Sequence, residues 1–399
     1  MKSRSNAGKW TRRILAGLVV LLLVFVATVY LLQHFYGEKW VKQYVQHAIL
    51  KESDSLYSIQ MDDLSINMMT GRLTIEGFKL IPDTNVYYKL KKRGHVPPFL
   101  LSVTVSNFKV RGFAWIKVLR YRDVSIEKIL ISEPEVELIR MSLPDTLITD
   151  TTRVAMSLSL PLPTGLNSVV VNQFRITKGK FTYLDRTRSP LMRIVCPELA
   201  MEVTNFIQNK GYHFTGRIFN SDDISATMQG FSINLPDSLY HFSLGSIGIS
   251  TKSRSVSLDS VILTPRYPRK AFFSKLGYQS DMFDLRIGHI GIESIDYPST
   301  LLNNIFHTGY LAIDGWKVDV YRDKRIPVKP GYRAVLPQAA LRKINALFTI
   351  DSLSMTNGYG SYSEQVGPEP GTVFFNQIKV LAKNVSNDSV IAIRRIMEI

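Results

Sequence analysis

The sequence predicts a mainly β protein, in which one transmembrane helix precedes an elongated antiparallel sheet made of two tandem modules with a few short helices. Three observations predict this class. Residues 14–33 form one long apolar run, and short segments that alternate apolar and polar residues follow from about Tyr57 onward. The alternating pattern also occurs twice, about 180 residues apart.

The apolar run is predicted to be an uncleaved membrane anchor. It is interrupted only by Thr28 and the terminal Gln33, and its 20 residues span about 30 Å as a helix, which matches a bilayer core. Residues 1–13 carry basic residues and no acidic ones, so the positive-inside rule puts this tail in the cytoplasm and the rest of the chain across the membrane. A cleaved signal peptide is the alternative, but no small-residue cleavage site follows the run. The basic and aromatic residues that flank the anchor are Trp10, Arg12, Arg13, Tyr36 and Trp40.

The segment 35–56 is predicted to contain a short amphipathic helix that leaves the bilayer. Trp40, Tyr44 and Ala48 recur at helical spacing, and an aliphatic residue directly follows each of them. These positions form one apolar stripe. The helix could lie on the membrane, but we expect it to cap the open end of the sheet that follows.

Strand patterns dominate the rest of the chain. Apolar and polar residues alternate over runs of about five to seven residues, which Gly, Pro, Asn or Asp separates. Such alternation is typical of half-buried antiparallel strands. Helical spacing interrupts it at residues 113–121, 299–306 and 338–343. We therefore predict one β module over residues 57–220 and a second over residues 221–399.

The two modules share patterns at a nearly constant offset. Leu64 and Ile247, for example, are 183 positions apart (247 − 64). The matching segments are 64–66 and 247–249, 73–82 and 256–265, 134–140 and 316–322, and 177–183 and 356–362. The repeated feature is the alternation of apolar and polar residues, and no set of reactive side chains is repeated with it. We therefore expect the duplication to extend the length or the surface of the fold. Residues 389–399 contain no turn, cap or polar tail, and we expect that the second module either continues in the intact protein or has been truncated.

The sequence contains no pattern of reactive residues that predicts catalysis. The single cysteine, Cys196, excludes an intramolecular disulfide and a thiolate metal cluster. The seven histidines form no His-x-His or His-x-x-x-His pair, and neither a nucleophile elbow nor a phosphate-binding glycine loop is present. We therefore expect no enzyme activity, no catalytic residue, no cofactor and no metal.

The net charge of +16 permits an anionic partner. The densest basic run contains Lys89, Lys91, Lys92 and Arg93, and no nucleic-acid-binding motif accompanies it. Anionic lipid headgroups or another acidic surface fit this run better than a nucleic acid does. A solvated face explains it equally well.

An apolar sheet face has to be covered, and the pattern leaves three solutions open. Two sheets can pack together, a barrel can close, or the sheet can curl into a trough that binds something apolar. The residues expected to line such a trough are Leu64, Ile66, Leu73, Ile75, Val136, Leu138, Val256, Leu258, Val318 and Val320.

Three stretches resemble the AsmA-like family of membrane-anchored periplasmic proteins, which includes TamB-type relatives. They are residues 59–66 and 71–78 together with the preceding anchor and helix, residues 124–138 with the phrase Pro134-Glu135-Val136-Glu137-Leu138, and residues 174–185. The resemblance implies a β-groove, which is a curved, taco-like sheet with an apolar interior for phospholipid acyl chains. It also implies a Gram-negative source, the inner membrane, and a role in outer-membrane lipid transport or biogenesis. Family members that bridge the periplasm are usually much longer than this chain.

Three functional hypotheses follow. The first is a periplasmic lipid-transfer protein that holds phospholipid in an apolar groove. The second is an anchored scaffold or assembly factor that binds an envelope protein without transferring lipid. The third is a hydrolase of envelope glycans or lipids, which would need converging acids or a Ser–His pair that the sequence does not display.

Overall fold

A computed structural model describes most of the sheet-forming part of the chain. The described residues are 42–43, 46–47, 49–51, 53–67, 69–92, 97–141, 165–188, 191–210, 217–218, 220–235, 239–297, 299–300, 305–329, 331 and 347–387. The predicted anchor and its flanking residues, Trp10, Arg12, Arg13, Tyr36 and Trp40, lie outside this set. Within the set, no helix has the length and apolar character needed to cross a membrane. The described positions between 42 and 51 are helical, within the segment where the amphipathic helix is predicted.

Long strands make up most of the described chain. The strands are β1 (Tyr57–Gln60), β2 (Asp63–Asn67), β3 (Arg72–Pro82), β4 (Phe99–Arg111), β5 (Asp123–Arg140), β6 (Ser168–Asp185), β7 (Met192–Asn209), β8 (Asp223–Asn234), β9 (Tyr240–Ser250), β10 (Ser255–Pro265), β11 (Asp281–Ile295), β12 (Ile305–Asp323), β13 (Leu347–Gln365) and β14 (Pro370–Ser386). Short helices lie between them, namely α1 (Thr84–Lys91), α2 (Trp115–Tyr121) and α3 (Arg269–Leu276).

All of these strands belong to one sheet of 14 strands that does not close on itself. Its order follows the chain from β3 to β14, while β1 and β2 both pair with β3. Most neighbouring strands are antiparallel, but β5 with β6 and β12 with β13 are parallel. The prediction of an antiparallel sheet was therefore wrong at these two places. Side chains alternate with period two in both kinds of sheet, and residues 141–167 and 324–346 are long enough for the crossover that a parallel pair requires.

The chain divides into two compact units, residues 1–225 and 226–399, and the boundary falls within β8. The predicted boundary between modules lay at residues 220 and 221. Strands β2 to β7 in the first unit correspond to β9 to β14 in the second. Their registers agree residue by residue, because Leu64 pairs with Ile75 and the equivalent Ile247 pairs with Leu258.

Residues with left-handed backbone lie within the strands or next to their ends at equivalent points of the two units. Gly77 in β3 has φ 59°, and Ser260 in β10 has φ 55°. The other equivalent pairs are Gly71 with Arg254, Gly112 with Ser294, Glu133 with Gly315, Lys178 with Asn357, and Asn205 with Asn384. Beyond such a residue, the positions whose side chains point to a given face of the sheet are shifted by one. As a result, Ile75 and Phe78 belong to the same apolar cluster although they lie three positions apart.

Two apolar clusters pack on opposite faces of the first unit. The larger cluster takes its buried residues mainly from β1 to β6, with Ile49 from the helical segment and Phe113 from the residues before α2. The smaller cluster places Tyr87 of α1 against Leu100 and Ile139. Leu100 directly precedes Leu101, which packs against the larger cluster, so the two clusters lie on opposite faces.

The second unit has the counterpart of the smaller cluster. Phe272 and Phe273 of α3 pack against Tyr321 of β12. Helix α3 follows Pro268 and ends at Gly277, which has φ 77°, a combination that favours a short helix with defined ends. Helix α1 begins after Asp83, whose side chain accepts hydrogen bonds from the backbone of Asn85 and Val86.

The predicted short helices had mixed outcomes. The helix predicted at residues 113–121 is confirmed as α2. The helix predicted at 299–306 was too long, because β12 begins at Ile305. The one predicted at 338–343 lies outside the described residues.

Candidate functional site

The candidate site is the apolar face of the second unit, where directly paired residues form rows across the sheet. One row consists of Ile247, Leu258, Ile290, Ile313, Met355 and Val380. The equivalent row of the first unit consists of Leu64, Ile75, Phe108, Ile131, Ile176 and Met201. Paired residues point to the same side of a sheet, so each row is a continuous apolar band.

The equivalent rows differ in how far the protein covers them. Leu64 is 3% exposed and Ile75 is 2% exposed, since both lie inside the larger cluster of the first unit. Their counterparts Ile247 and Leu258 are only half-buried. The difference is confined to the β2–β4 end of the row, because Ile131, Ile176 and Met201 of the first unit are also half-buried.

The residues predicted to line a trough fall into two groups. Leu64, Leu73 and Ile75 are buried in the protein's own core. The half-buried group consists of Ile66, Val136, Leu138, Val256, Leu258, Val318 and Val320. Val320 directly precedes Tyr321, which packs under α3, so Val320 and Val318 lie on the face opposite α3.

A second pair of rows shows where the two units differ in side-chain volume. In the first unit, Phe181 lies between Val136 and Cys196. In the second unit, Gly360 lies between Val318 and Phe375. A Cβ atom added at Gly360 would meet only Ile378 Cδ1, at 3.6 Å. The second unit thus lacks a phenyl ring at a position where the first unit has one.

A ladder of polar side chains crosses the second unit beside the apolar rows. It consists of Ser246, Asp259, His289, Asp314 and Thr356, each paired with the next in the sheet. Ser246 Oγ donates to Asp259 Oδ2 at 2.8 Å, and His289 Nδ1 lies 2.7 Å from Asp259 Oδ1. Thr356 Oγ1 donates to Asp314 Oδ1 at 2.6 Å. The equivalent ladder of the first unit consists of Asp63, Glu76, Asn107, Ser132 and Thr177.

The electrostatics of this ladder are those of hydrogen-bonded carboxylates. The hydrogen bond to His289, followed by that from Ser246, lowers the pKa of Asp259 below its ordinary value. The hydrogen bonds from Thr356 and Asn357 lower the pKa of Asp314 in the same way.

The ladder does not form a nucleophile–base pair, because the hydroxyl of Ser246 donates to Asp259 and not to His289. Among the described residues, no group of three or more His, Cys, Asp or Glu side chains could hold a metal ion. The sequence analysis did not predict this ladder, because its members are far apart in the chain. The repeat offset, combined with the strand register, is the signal that could have identified it. The sequence matches no protein-family model and has no significant match among curated proteins.

Proposed function

We propose that this chain is a membrane-anchored protein that holds or conducts phospholipid acyl chains along the apolar face of its second unit. One observation carries the proposal. Leu64, Ile75 and Phe108, on β2 to β4 of the first unit, are buried, whereas their equivalents Ile247, Leu258 and Ile290 in the second unit are half-buried. Uncovered apolar rows on a sheet favour an apolar ligand or partner.

The mechanism is passive. A methylene group that passes from hydrocarbon into water costs about 0.8 kcal/mol, so a lipid tail cannot leave a bilayer unaided. An apolar face lined by Val256, Leu258 and Val318 lowers this cost, while the charged headgroup stays in water. Direction then comes from a gradient or from a partner, and no residue needs to catalyse a reaction.

The predicted anchor and the resemblance to the AsmA-like family support a location for this activity. The chain would be fixed in the inner membrane with its amino terminus in the cytoplasm and the sheet in the periplasm. There it would contribute to outer-membrane lipid transport or envelope biogenesis. A curved, taco-like cross-section of the sheet belongs to the same proposal.

The anchored scaffold is the second candidate, and the first unit favours it. Its larger cluster is a packed core of the protein's own side chains, which leaves little room for a lipid tail. A scaffold without lipid would require that the apolar face of the second unit bind a protein instead.

Native mass spectrometry of the whole chain tests the two candidates. We expect phospholipid to copurify with the wild-type protein and Leu258→Asp to remove most of it. The matched control is Ser257→Asp, which places the same charge one residue earlier and on the opposite face of β10. Lipid-free wild-type protein, or equal lipid content in Leu258→Asp and Ser257→Asp, would contradict the proposal.

A further inference from the structure

Helix α2 carries an exposed surface in which apolar and basic side chains are mixed. Ile116 and Leu119 are each 57% exposed, and Tyr121 is 52% exposed. Lys117 and Arg120 lie between them in the chain and are also exposed. These five residues are called the α2 surface below. So many exposed apolar side chains on one helix of seven residues favour contact with an apolar partner.

Packing against the first unit fixes which side of α2 is exposed. Trp115 and Val118 pack against the larger cluster. Before the helix, Ala114 N donates to Ser125 O at 2.9 Å. After the helix, Arg122 has left-handed backbone, and its N–H donates to Val118 O at 3.0 Å. The α2 surface is therefore held facing away from the core.

The charge around the α2 surface is positive. Residues 112–122 contain no acidic residue, and Arg122, which follows the helix, is exposed. Lys210 lies beside the same end of the helix, because its Nζ donates to Asn167 Oδ1 at 3.1 Å and Asn167 Nδ2 donates to Tyr121 O at 2.8 Å. Apolar and basic side chains on one exposed helix surface, with a tyrosine among them, are typical of helices that lie on an anionic membrane.

The helical positions before β1 run toward the end of the first unit where α2 lies. Gln46 Nε2 donates to a carbonyl oxygen in β1, and Lys42 Nζ donates to one between β1 and β2, both at 3.2 Å. From residue 46 to residue 42, this segment therefore approaches the turn between β2 and β3. At that turn, Phe113 N donates to Gly71 O at 3.1 Å, and α2 begins two residues after Phe113. The predicted anchor precedes Lys42 in the sequence, so this direction favours a bilayer at the α2 end.

We propose that the α2 surface lies on an anionic phospholipid bilayer. Ile116 and Leu119 enter the apolar boundary of the bilayer, while Lys117 and Arg120 contact the headgroup phosphates. The inference rests on the membrane location proposed above, and it adds which end of the first unit faces the membrane and which headgroup charge is recognised. The equivalent residues of the second unit, 297–303, contain neither lysine nor arginine, so the same contact is not expected there.

Fluorescence quenching on the whole chain in lipid nanodiscs tests this proposal. A polarity-sensitive dye is attached at Leu119→Cys or, as the matched control, at Leu191→Cys, both in a Cys196→Ala background. Leu119 is 57% exposed and Leu191 is 56% exposed. Leu191 precedes β7 at the other end of the first unit, about 55 Å away along strands of 18 residues. In brominated phosphatidylglycerol, we expect the dye at position 119 to lose most of its emission and the dye at position 191 to keep it.

Charge variants then test recognition of the headgroup. Each basic residue near an anionic surface changes the docking equilibrium about fivefold, so Lys117→Gln combined with Arg120→Gln should lower the ratio of docked to undocked helix about 25-fold. Quenching at position 119 should then fall to the low level expected in brominated phosphatidylcholine. Lys178→Gln combined with Lys180→Gln removes the same charge from exposed ion pairs within β6 and should leave the quenching unchanged.

Three outcomes would overturn the inference. The first is equal quenching at positions 119 and 191, and the second is equal quenching at position 119 in phosphatidylglycerol and phosphatidylcholine. The third is a dye at position 119 that reports an apolar environment but is not quenched by lipid, which would identify a protein as the occupant. Copurification of phospholipid concerns the second unit, so it can be lost while the quenching persists, and the converse also holds.

Discussion

Phe181 in β6 and Gly360 in β13 occupy equivalent positions in the two units, and they give the equivalent rows different side chains beside Val136 and Val318. Phe181 pairs with Val136 and Gly360 pairs with Val318 in the same parallel register. The phenyl ring adds apolar volume to a unit that already has a packed core. Its absence in the second unit leaves room beside Val318, next to rows that are already half-buried.

Gly358 and Gly360 in β13 should differ in how far substitution by alanine destabilises the protein. A Cβ atom added at Gly358 would lie 2.2 Å from the indole ring of Trp316, whereas one added at Gly360 would make only an ordinary contact. Gly358→Ala is expected to displace Trp316 and to lower the free energy of unfolding by about 1–3 kcal/mol. Gly360→Ala is the matched control and should change it by less than about 0.5 kcal/mol. Equal thermal unfolding midpoints for the two variants would refute this packing.

Phe272 should stabilise the second unit specifically. Its ring is 1% exposed and makes edge-to-face contacts with Tyr240 at 5.4 Å and Phe273 at 5.3 Å. Phe272→Ala should cost about 3–5 kcal/mol and should speed amide exchange in β9 to β12 more than in β3 to β6. The control Ser274→Ala removes only a hydroxyl that bonds within α3. Uniform loss of protection in both units would argue against separate cores.

Asp185 should make the first unit sensitive to acid. Burial alone would raise the pKa of this carboxyl, but hydrogen bonds from Thr187 and the charges of Arg140 and Arg188 outweigh burial and lower the pKa. Because the folded-state pKa is the lower one, the stabilisation is complete above the ordinary carboxyl pKa of about 4 and is lost as pH falls through the folded-state value.

Asp185→Asn should therefore lower the free energy of unfolding at pH 7 by about 1.5–3 kcal/mol. The difference from the wild type should shrink as the pH falls below about 4. Unfolding midpoints at several pH values measure this. The exposed ion pair of Glu135 with Lys180 supplies the control Glu135→Gln, for which no effect is expected. If the free energy of unfolding of Asp185→Asn were lower than that of the wild type by the same amount at every pH, the shape of the side chain, and not its charge, would be responsible for the loss of stability.

His289 should control the titration of Asp259. Its hydrogen bond is the largest cause of the lowered Asp259 pKa. In His289→Ala, the pKa of Asp259 should rise toward the ordinary value, which carboxyl-carbon NMR can follow. His241→Ala removes a contact with Asn234 instead and should leave the Asp259 pKa unchanged. An unaltered titration in His289→Ala would mean that the polar ladder is not formed in solution.

The sequence predicted a large part of the fold, because its repeat encodes strand register. The offset that relates Leu64 to Ile247 also relates their partners Ile75 and Leu258. It did not predict the parallel pairs, since period-two alternation is the same in both orientations. Helices α1 and α3 were also missed, although Asp83 before α1 and Gly277 after α3 are recognisable helix boundaries.

The candidate site was less predictable than the fold. Alternation identified apolar residues such as Ile75 and Leu258 equally well, but it carries no information about what covers each face. In the first unit, Ile49 and Phe113 join the buried cluster from outside the strands. Gly360 stands where the first unit has the aromatic residue Phe181. The effect of this difference can be judged only when the neighbours of Gly360 across the sheet are known.

Filling the space beside Val318 tests the central claim most directly. Phospholipid bound per chain should be measured by native mass spectrometry for the wild type, Gly360→Phe and the control Gly367→Phe, where an added Cβ meets no atom within 4 Å. Loss of contact with a single methylene, about 0.8 kcal/mol, lowers affinity about fourfold, so Gly360→Phe should carry several-fold less lipid while the wild type and the control carry equal amounts. Equal lipid in all three folded proteins would contradict the account.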